Sequence, residues 1–131
     1  MKTQATAKFI GTSARKIGLV AALLRGRSVA EAQAILANTN KRAVGPVGKV
    51  LASAAANAEN NFNAKPADLV VESVFVGPGP SLKRSRARGK GSAAPILKRT
   101  SHLTVVVTDG KVAAKLSAVK AETSVAKKEA K

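Results

Sequence analysis

The hydrophobic positions at the start of the chain predict a short strand and then an amphipathic helix. Residues 5–10 have weak strand character. Gly11 and Thr12 interrupt the strand, and Ser13 follows them and can cap a helix. Gly26 is expected to end that helix, because glycine adopts the left-handed conformation past a helix end at little cost. Apolar residues at helical spacing give the helix one face for burial: Ile17, Val20, Ala21 and Leu24.

Two more helices are predicted before the pattern changes. Ser28 and Glu31 have the spacing of a capping box, so a second helix is expected over residues 29–37. We expect the third and longest helix to begin close to Pro46, because proline fits the first turn of a helix but no deeper position. Residues 41–44 would then form a separate turn. The positions predicted to be buried are Val29, Ala32, Ile35 and Leu36 in the second helix and Val47, Leu51, Ala54, Ala58 and Phe62 in the third.

After Pro66 the hydrophobic period shortens from about 3.6 residues to about 2, which predicts two strands. The first covers residues 69–76 and the second residues 103–108. The segment Gly77–Pro80 is expected to punctuate the first strand, because proline cannot donate a hydrogen bond to a ladder. The alternation puts Leu69, Val71, Ser73 and Phe75 on one face of this strand and Val70, Glu72, Val74 and Val76 on the other.

The segment between the two strands, residues 82–99 (LKRSRARGKGSAAPILKR), carries seven basic residues, no acidic residue and no aromatic residue. A charge run is often a solvated loop. Here two strands of matched length hold the insert, which favours a hairpin arm over about residues 78–99 that folds back near residues 88–91. Along an extended leg, cations two residues apart share a face at a spacing of roughly 6.6 Å. They are Arg84, Arg86, Arg88 and Lys90, opposite the small residues Ser85, Ala87 and Gly89.

The predicted fold is therefore α+β, with three helices packed on a small antiparallel sheet from which a long β-hairpin arm protrudes. We expect one domain over residues 1–110 that includes the arm. The Lys/Ala-rich tail over residues 111–131 has no apolar period that demands burial, and we expect it to be disordered or only loosely helical.

The charge balance points to a polyanionic partner. The 131 residues suffice for one modest core, and the formal net charge is +16. Charge of this size repels itself in a compact chain unless a partner neutralises it, so nucleic acid is the first candidate and an anionic membrane surface the second. No apolar run approaches the ~20 residues of a membrane span, and the absence of cysteine is compatible with a reducing compartment. We expect a cytoplasmic protein.

No arrangement of residues supports catalysis, and we expect no enzyme, no metal site and no cofactor. His102 is the single histidine, and the next acid along the chain, Asp109, ends the same strand. A histidine that bonds locally or contacts a phosphate is the simpler interpretation. The seven acidic residues are scattered, without the spacing of paired catalytic carboxylates or of metal ligands.

The scarcity of aromatic residues separates the kinds of nucleic-acid binder. RRM sheets and OB-folds stack bases on aromatic rings, whereas none of the three phenylalanines here lies near the arm. Recognition is therefore expected through backbone phosphates and shape. One class of this kind is a DNA-architectural protein of the histone-like type, whose basic arms commonly carry an apolar or proline wedge at the tip. The tip here consists of Arg, Gly, Lys and Ala, which is not such a wedge.

Four segments of the chain resemble the large-subunit ribosomal protein twenty-two family, the universal protein whose long hairpin lines the peptide exit tunnel. The resemblance runs in order over roughly residues 5–109, and the chain departs from the family pattern at Arg86, Ser92 and Pro95. The segments are SARKIGLVAALLRGRSVAEAQAIL at 13–36, KVLASAAANAENN at 49–61, GPSLKRSRARGKGSA at 79–93 and KRTSHLTVVV at 98–107.

The resemblance implies a structural constituent of the large ribosomal subunit that binds large-subunit rRNA and aids subunit assembly. It also implies neighbouring ribosomal proteins as partners, among them protein four near the tunnel, and the nascent polypeptide in passing. No membrane partner and no homo-oligomer are expected.

The charge pattern and the resemblance together assign two sets of residues. The tunnel-lining tip is expected at Leu82, Lys83, Arg84, Ser85, Arg86, Ala87, Arg88, Gly89, Lys90 and Gly91. Lys41 and Arg42, together with Arg25 and Arg27, lie at the helix junctions and can extend the basic surface. The expected rRNA-binding residues are Lys8, Ser13, Arg15, Lys16, Arg25, Arg27, Lys83, Arg84, Arg86, Arg88, Lys90, Lys98, Arg99, Thr100, Ser101 and His102.

Overall fold

The order of elements matches the predicted α+β fold, in which helices pack against an antiparallel sheet that carries a long hairpin. The computed structural model describes residues 1–110, and the expected disorder of residues 111–131 lies outside this range. The three strands have the order β1-β3-β2. The elements are β1 (Lys2–Ile10), α1 (Ala14–Leu24), α2 (Val29–Asn38), α3 (Val44–Phe62), β2 (Leu69–Ala87) and β3 (Ala93–Asp109), with 3₁₀ turns at Pro66–Asp68 and Gly89–Gly91.

Helices α1 and α2 form where the hydrophobic period and the caps predict them. Gly26 follows α1 with φ of +75°, the left-handed conformation expected at a helix end. The capping box of α2 is present in both directions. The Glu31 amide donates to Ser28 Oγ at 3.2 Å, and the Ser28 amide donates to Glu31 Oε2 at 3.4 Å. All four predicted positions of the α1 stripe are buried: Ile17, Val20, Ala21 and Leu24.

Helix α3 begins at Val44, which places Pro46 in its first turn as expected. Asn63 caps its end, with a left-handed backbone at φ of 50° and ψ of 33°. One predicted burial position is wrong: Phe62 is 54% exposed. It is the last residue of the helix, one turn beyond Ala58, which is the last buried position of α3.

The core lies between the helices and the inner side of the sheet, and it is built from aliphatic side chains. Its largest fully buried members come from α1, α3, β2 and β3, so the core ties the sheet to α1 and α3. They include Ile17, Leu24, Leu51, Leu69, Leu103, Val47, Val71, Val74, Val105 and Val107.

The predicted alternation along β2 is wrong after Val71, because a β-bulge shifts the register. Val71 pairs with Val107 and Ser73 with Val106, so β2 advances two residues while β3 advances one. The extra residue transfers the next side chains to the opposite faces. Val74 is consequently buried, and Phe75, expected on the face of Leu69, is 63% exposed.

The prolines of the segment Gly77–Pro80 suggested that β2 would be interrupted there. Instead β2 continues through this segment, which contains a second register shift. Pro78 pairs with Ser101 and Ser81 with Arg99, so one extra residue lies on β2 at the point where a proline cannot join the ladder. Gly79 is required here by close approach, since a Cβ would lie 2.5 Å from Thr100 Oγ1. The two strands therefore continue without interruption from the core into the arm.

Candidate nucleic-acid interface

The arm is a two-stranded ribbon held by its backbone ladder. Beyond the second bulge, pairing runs from Ser81 with Arg99 to Ala87 with Ala93. The turn closes through the Arg88 amide, which donates to the Ser92 carbonyl at 2.8 Å. Every residue from 81 to 93 is exposed. No side chain of this ribbon is buried in a core, so the arm's surface is available along its length.

Residues that pair directly in an antiparallel ladder lie on the same side of the ribbon, which defines two faces of the arm. One face carries three cations, Arg84, Arg86 and Lys98, together with Leu82, Ala94 and Ile96. The other face carries two cations, Lys83 and Arg99, together with Leu97 and the smaller side chains of Ser85, Ala87, Ala93 and Pro95. The predicted row with a small face behind it is thus present at Arg84 and Arg86. Cations lie on both faces, so the arm can contact phosphates from two sides.

The predicted row of four cations does not extend to Lys90. This residue lies in the turn with φ of 58° and ψ of 31°, and Gly91 follows with φ of +73°. Two left-handed residues reverse the chain, so Lys90 leaves the extended row and occupies the apex. Ser92 Oγ donates to the Gly89 carbonyl at 2.9 Å and stabilises this turn.

The arm's cations have no acidic neighbours. Within residues 1–110 the two ion pairs are those of the Met1 amino group with Asp109 and of Lys2 with Glu72, both on the base. The Arg84 guanidinium donates to the carbonyl of Lys83 at 2.8 Å, an interaction that leaves its charge uncompensated. The fold thus holds these cations together without neutralising them, which leaves that role for an external anion.

The candidate residues at the stem of the arm, Thr100, Ser101 and His102, all make hydrogen bonds within the molecule. Thr100 Oγ1 donates to the Pro80 carbonyl at 2.7 Å and so joins the two strands of the stem. Ser101 is fully buried, and its Oγ donates to the Thr12 carbonyl at 2.7 Å, so its side chain positions the β1–α1 link and is not free to contact RNA.

His102 bonds locally, as the strand-end interpretation expects. Its Nδ1 accepts a hydrogen bond from the Phe9 amide at 3.1 Å, and its ring lies edge-on to the Phe9 ring with centroids 4.8 Å apart. Phe9 has φ of 57°, an uncommon conformation for a bulky residue, at a register shift of β1 against β3. His102 thereby fixes the end of β1 at the base of the arm.

The basic residues of α1 divide into two groups. Ser13 and Arg15, at the start of the helix, line a depression together with residues of the arm's stem: Pro78, Gly79, Ser81, Arg99 and Thr100. Arg25 and Arg27 follow the other end of the helix, roughly 16 Å away at 1.5 Å per residue. There the Arg25 guanidinium donates to the Val74 carbonyl at 2.9 Å. The start of α1, not its end, joins the arm in one basic surface.

Lys41 and Arg42 extend this surface, as their place at a helix junction suggests. Both lie in the link between α2 and α3, which folds beside Lys16 and Arg99. The packing of this link determines which other basic residues they join. Lys8, exposed on β1, is not among the residues that line these depressions.

Residues 1–110 contain no group of three or more His, Cys, Asp or Glu side chains arranged to hold a metal ion. None of the helices in that range is long and apolar enough to cross a membrane.

Comparison with known proteins places this chain in a family. The sequence model of the family described as Ribosomal protein L22p/L17e matches residues 5–108. The chain belongs to this family. It is a family of ribosomal structural proteins, so the expectation that the chain is not an enzyme is confirmed, as is the resemblance noted in the sequence.

Two relatives show how closely the chain follows the family. The chain is 61% identical over 106 residues to the large ribosomal subunit protein uL22 of Pediococcus pentosaceus, a match that covers 81% of this chain and 90% of the relative. It is 56% identical over 105 residues to the large ribosomal subunit protein uL22 of Ligilactobacillus salivarius, covering 80% and 91%. Both matches span nearly the whole length of the relatives.

Proposed function

We propose that this chain is a structural constituent of the large ribosomal subunit that binds large-subunit rRNA through residues 1–110. Family membership supports the place in the ribosome, and the arm supports the partner. The binding surface consists of the arm, its stem and the start of α1, with Lys8, Arg25 and Arg27 as more distant phosphate contacts. The protein works in the cytoplasm, where it stabilises folded rRNA and aids assembly of the subunit.

One observation carries this proposal: the arm presents seven cations, on both faces and at the apex, with no acid along residues 82–99. A two-stranded ribbon of this kind is thin enough to enter between rRNA helices. It binds them through phosphates and shape, because it offers no aromatic side chain on which a base could stack. Neutralisation of the cations supplies the free energy that orders the arm in its site.

The family resemblance implies a position for the tip, and the length of the arm is compatible with it. From Ser81 to the turn the ribbon extends roughly 25 Å at ~3.3 Å per residue, far enough to carry the apex away from the base and through a layer of rRNA. We assign residues 82–91 to the wall of the peptide exit tunnel. There they meet the nascent polypeptide in passing and lie near ribosomal protein four.

The salt dependence of rRNA binding tests the proposed partner. If the seven arm cations contact phosphates, the slope of log K against log salt includes a contribution of about −5 to −6. The double substitution Arg84→Gln with Arg86→Gln should reduce the magnitude of this slope by about 1.5 to 2. The matched control is Lys49→Gln with Lys65→Gln, which removes the same charge from exposed positions of α3 and the loop that follows it. Equal slopes for the two double variants would contradict the proposal.

Co-sedimentation tests the place of action. The protein should travel with the large subunit through a high-salt gradient, and recovery with bulk DNA would favour the DNA-architectural class instead. The tip has its own test, because the chain has no native cysteine. A Lys90→Cys variant assembled into ribosomes should cross-link to a stalled nascent chain, whereas Lys65→Cys should not. Equal cross-linking of both variants, or of neither, would remove the tip from the tunnel wall.

A further inference from the structure

We propose that the cavity between α1, the α2–α3 link and the stem of the arm binds a single unstacked nucleotide of an RNA strand. The base of that nucleotide lies against Leu19 and Leu97, and its phosphates lie on the surrounding cations. This inference rests on the proposed rRNA binding and adds a specific subsite to it.

Four separate parts of the chain build the walls of this cavity. Its volume is about 610 Å³, within the range of about 300–1,000 Å³ typical of small-molecule sites. That volume accommodates a nucleotide but not a base-paired helix. The lining comes from Gly11, Thr12 and Ser13 after β1, Lys16 and Leu19 on α1, Lys41, Arg42 and Ala43 before α3, and Leu97 and Arg99 on β3.

The charge of the lining specifies an anionic ligand. Lys16, Lys41, Arg42 and Arg99 surround the cavity, and none of its lining residues is acidic. Four cations that converge from different elements repel one another, and a phosphate between them relieves this repulsion. Arginine adds paired donors that suit phosphate oxygens, and the Ser13 and Thr12 hydroxyl groups are further possible donors.

The apolar part of the lining specifies more than a phosphate. Leu19 is 69% exposed and Leu97 is 45% exposed, yet both face this cavity. Neither contributes to the core, so both apolar surfaces remain in water until a ligand covers them. A nucleobase is flat and apolar on its faces, and burial against two leucines removes that surface from water. The combination of four cations and two leucines therefore fits a nucleotide better than inorganic phosphate.

The neighbouring depression shows why the ligand is part of a strand. This second depression, lined by Arg15, Pro78 and Thr100 among others, shares Ser13 and Arg99 with the cavity. The two depressions are thus adjacent, and a sugar-phosphate backbone can pass from one to the other. An RNA strand that crosses the stem in this way inserts one base into the cavity and leaves the next phosphate beside Arg15.

A fluorescent oligonucleotide tests the subsite in the full-length protein. The probe is an adenylate decamer with one central 2-aminopurine, whose fluorescence is quenched by stacking in the free strand. Binding of the wild-type protein should raise the fluorescence, because the cavity unstacks one base. Leu19→Ala with Leu97→Ala should abolish the rise while leaving the affinity nearly unchanged, since the phosphate contacts remain. The matched control is Leu23→Ala with Phe62→Ala, two exposed apolar residues outside both the cavity and the arm, which should keep the rise.

The cations are tested by affinity in the same assay. Lys41→Gln with Arg42→Gln should weaken binding of the decamer roughly ten- to thirtyfold near 0.1 M salt and reduce the slope by about 1.4. The Lys49→Gln and Lys65→Gln pair should change the slope by less than half as much.

The outcomes separate this subsite from the proposed function. Absence of salt-dependent binding to large-subunit rRNA would refute the RNA-binding function itself. If rRNA is bound, the nucleotide subsite alone is overturned by no binding of the decamer, by steep salt-dependent binding without a fluorescence rise, or by loss of the rise in the Leu23→Ala, Phe62→Ala control as well. Free adenosine monophosphate should bind far more weakly than the decamer, and equal affinities would overturn the assignment to a strand.

Discussion

The base and the arm of this molecule are made by one continuous pair of strands, yet they are stabilised in different ways. In the base, β2 and β3 place Leu69 and Leu103 in a core where both are fully buried. In the arm, the same strands carry Leu82, Ile96 and Leu97 with 38 to 53% of their surfaces exposed. The ladder is common to both regions, and burial is confined to the base.

This difference assigns separate tasks to the two regions. Burial of apolar surface is the main stabilising term of folding, so the base determines whether the chain folds. The arm adds a backbone ladder and uncompensated cations. Its cations contribute favourable free energy only on binding, when an anion neutralises them. Stability and binding can therefore be changed independently.

Leu51→Ala should lower the free energy of unfolding by about 2–5 kcal/mol, because it leaves a cavity at a fully buried position of α3. Urea denaturation followed by circular dichroism measures this effect, since the chain has no tryptophan or tyrosine for fluorescence. Leu82→Ala on the arm is the control and should change the same quantity by no more than about 0.5 kcal/mol. Equal losses would show that the arm shares the stability of the core.

Ser101→Ala should cost about 1–3 kcal/mol, because it leaves the Thr12 carbonyl without its buried donor at the junction of base and arm. Ser101→Thr, which keeps the hydroxyl, should recover part of the loss if the added methyl group is accommodated. The affinity for rRNA measured well below the melting temperature should be nearly unchanged for Ser101→Ala. A large loss of affinity without loss of stability would instead make Ser101 an RNA contact.

Ser28→Ala should lower stability by about 1 kcal/mol, because it removes one half of the capping box of α2. Ser13→Ala, at the start of α1, makes a useful comparison. The Ser13 side chain makes no capping hydrogen bond, so its loss should change stability by less than the Ser28 substitution. Urea midpoints for the two variants decide the order, and the reverse order would contradict the role of the box.

Replacing residues 82–98 with an Asn-Gly turn should change the free energy of unfolding by less than about 1 kcal/mol. Ser81 and Arg99 pair directly, so a two-residue turn can close the shortened hairpin. The same variant should lose most of the salt-dependent part of its rRNA affinity. A destabilisation comparable to that of Leu51→Ala would mean that the arm supports the base, and the separation of tasks would fail.

The helices and the arm could be predicted because their signals are local. The stripe of α1, the capping box at Ser28 and the alternating cations each lie within a short window of sequence. The bulges could not be predicted in the same way, since an extra residue such as the one between Val71 and Ser73 is defined only by the register of β2 against β3. That shift puts Phe75 on the face of the sheet opposite to the predicted one.

The candidate site divides along the same line. The arm's cations are identified by composition and spacing alone. The cavity at the stem is not, because Leu19, Lys41 and Leu97 are far apart along the chain and meet only through packing. Ser101 is the opposite case: its position in a basic segment suggests an RNA contact, and the structure shows a buried hydroxyl that bonds to Thr12.

The ribbon form of the arm has a consequence for the chain before it reaches its partner. Past Ser101, where β1 ends, neither strand has a neighbour on its outer side within the described residues, so both outer edges expose backbone donors and acceptors. Open edges of this kind invite pairing with a second copy and can lead to aggregation. Here two approaching arms would bring together seven cations each, at a distance where like charges repel. The charge that binds RNA in the assembled state therefore also keeps newly made chains apart.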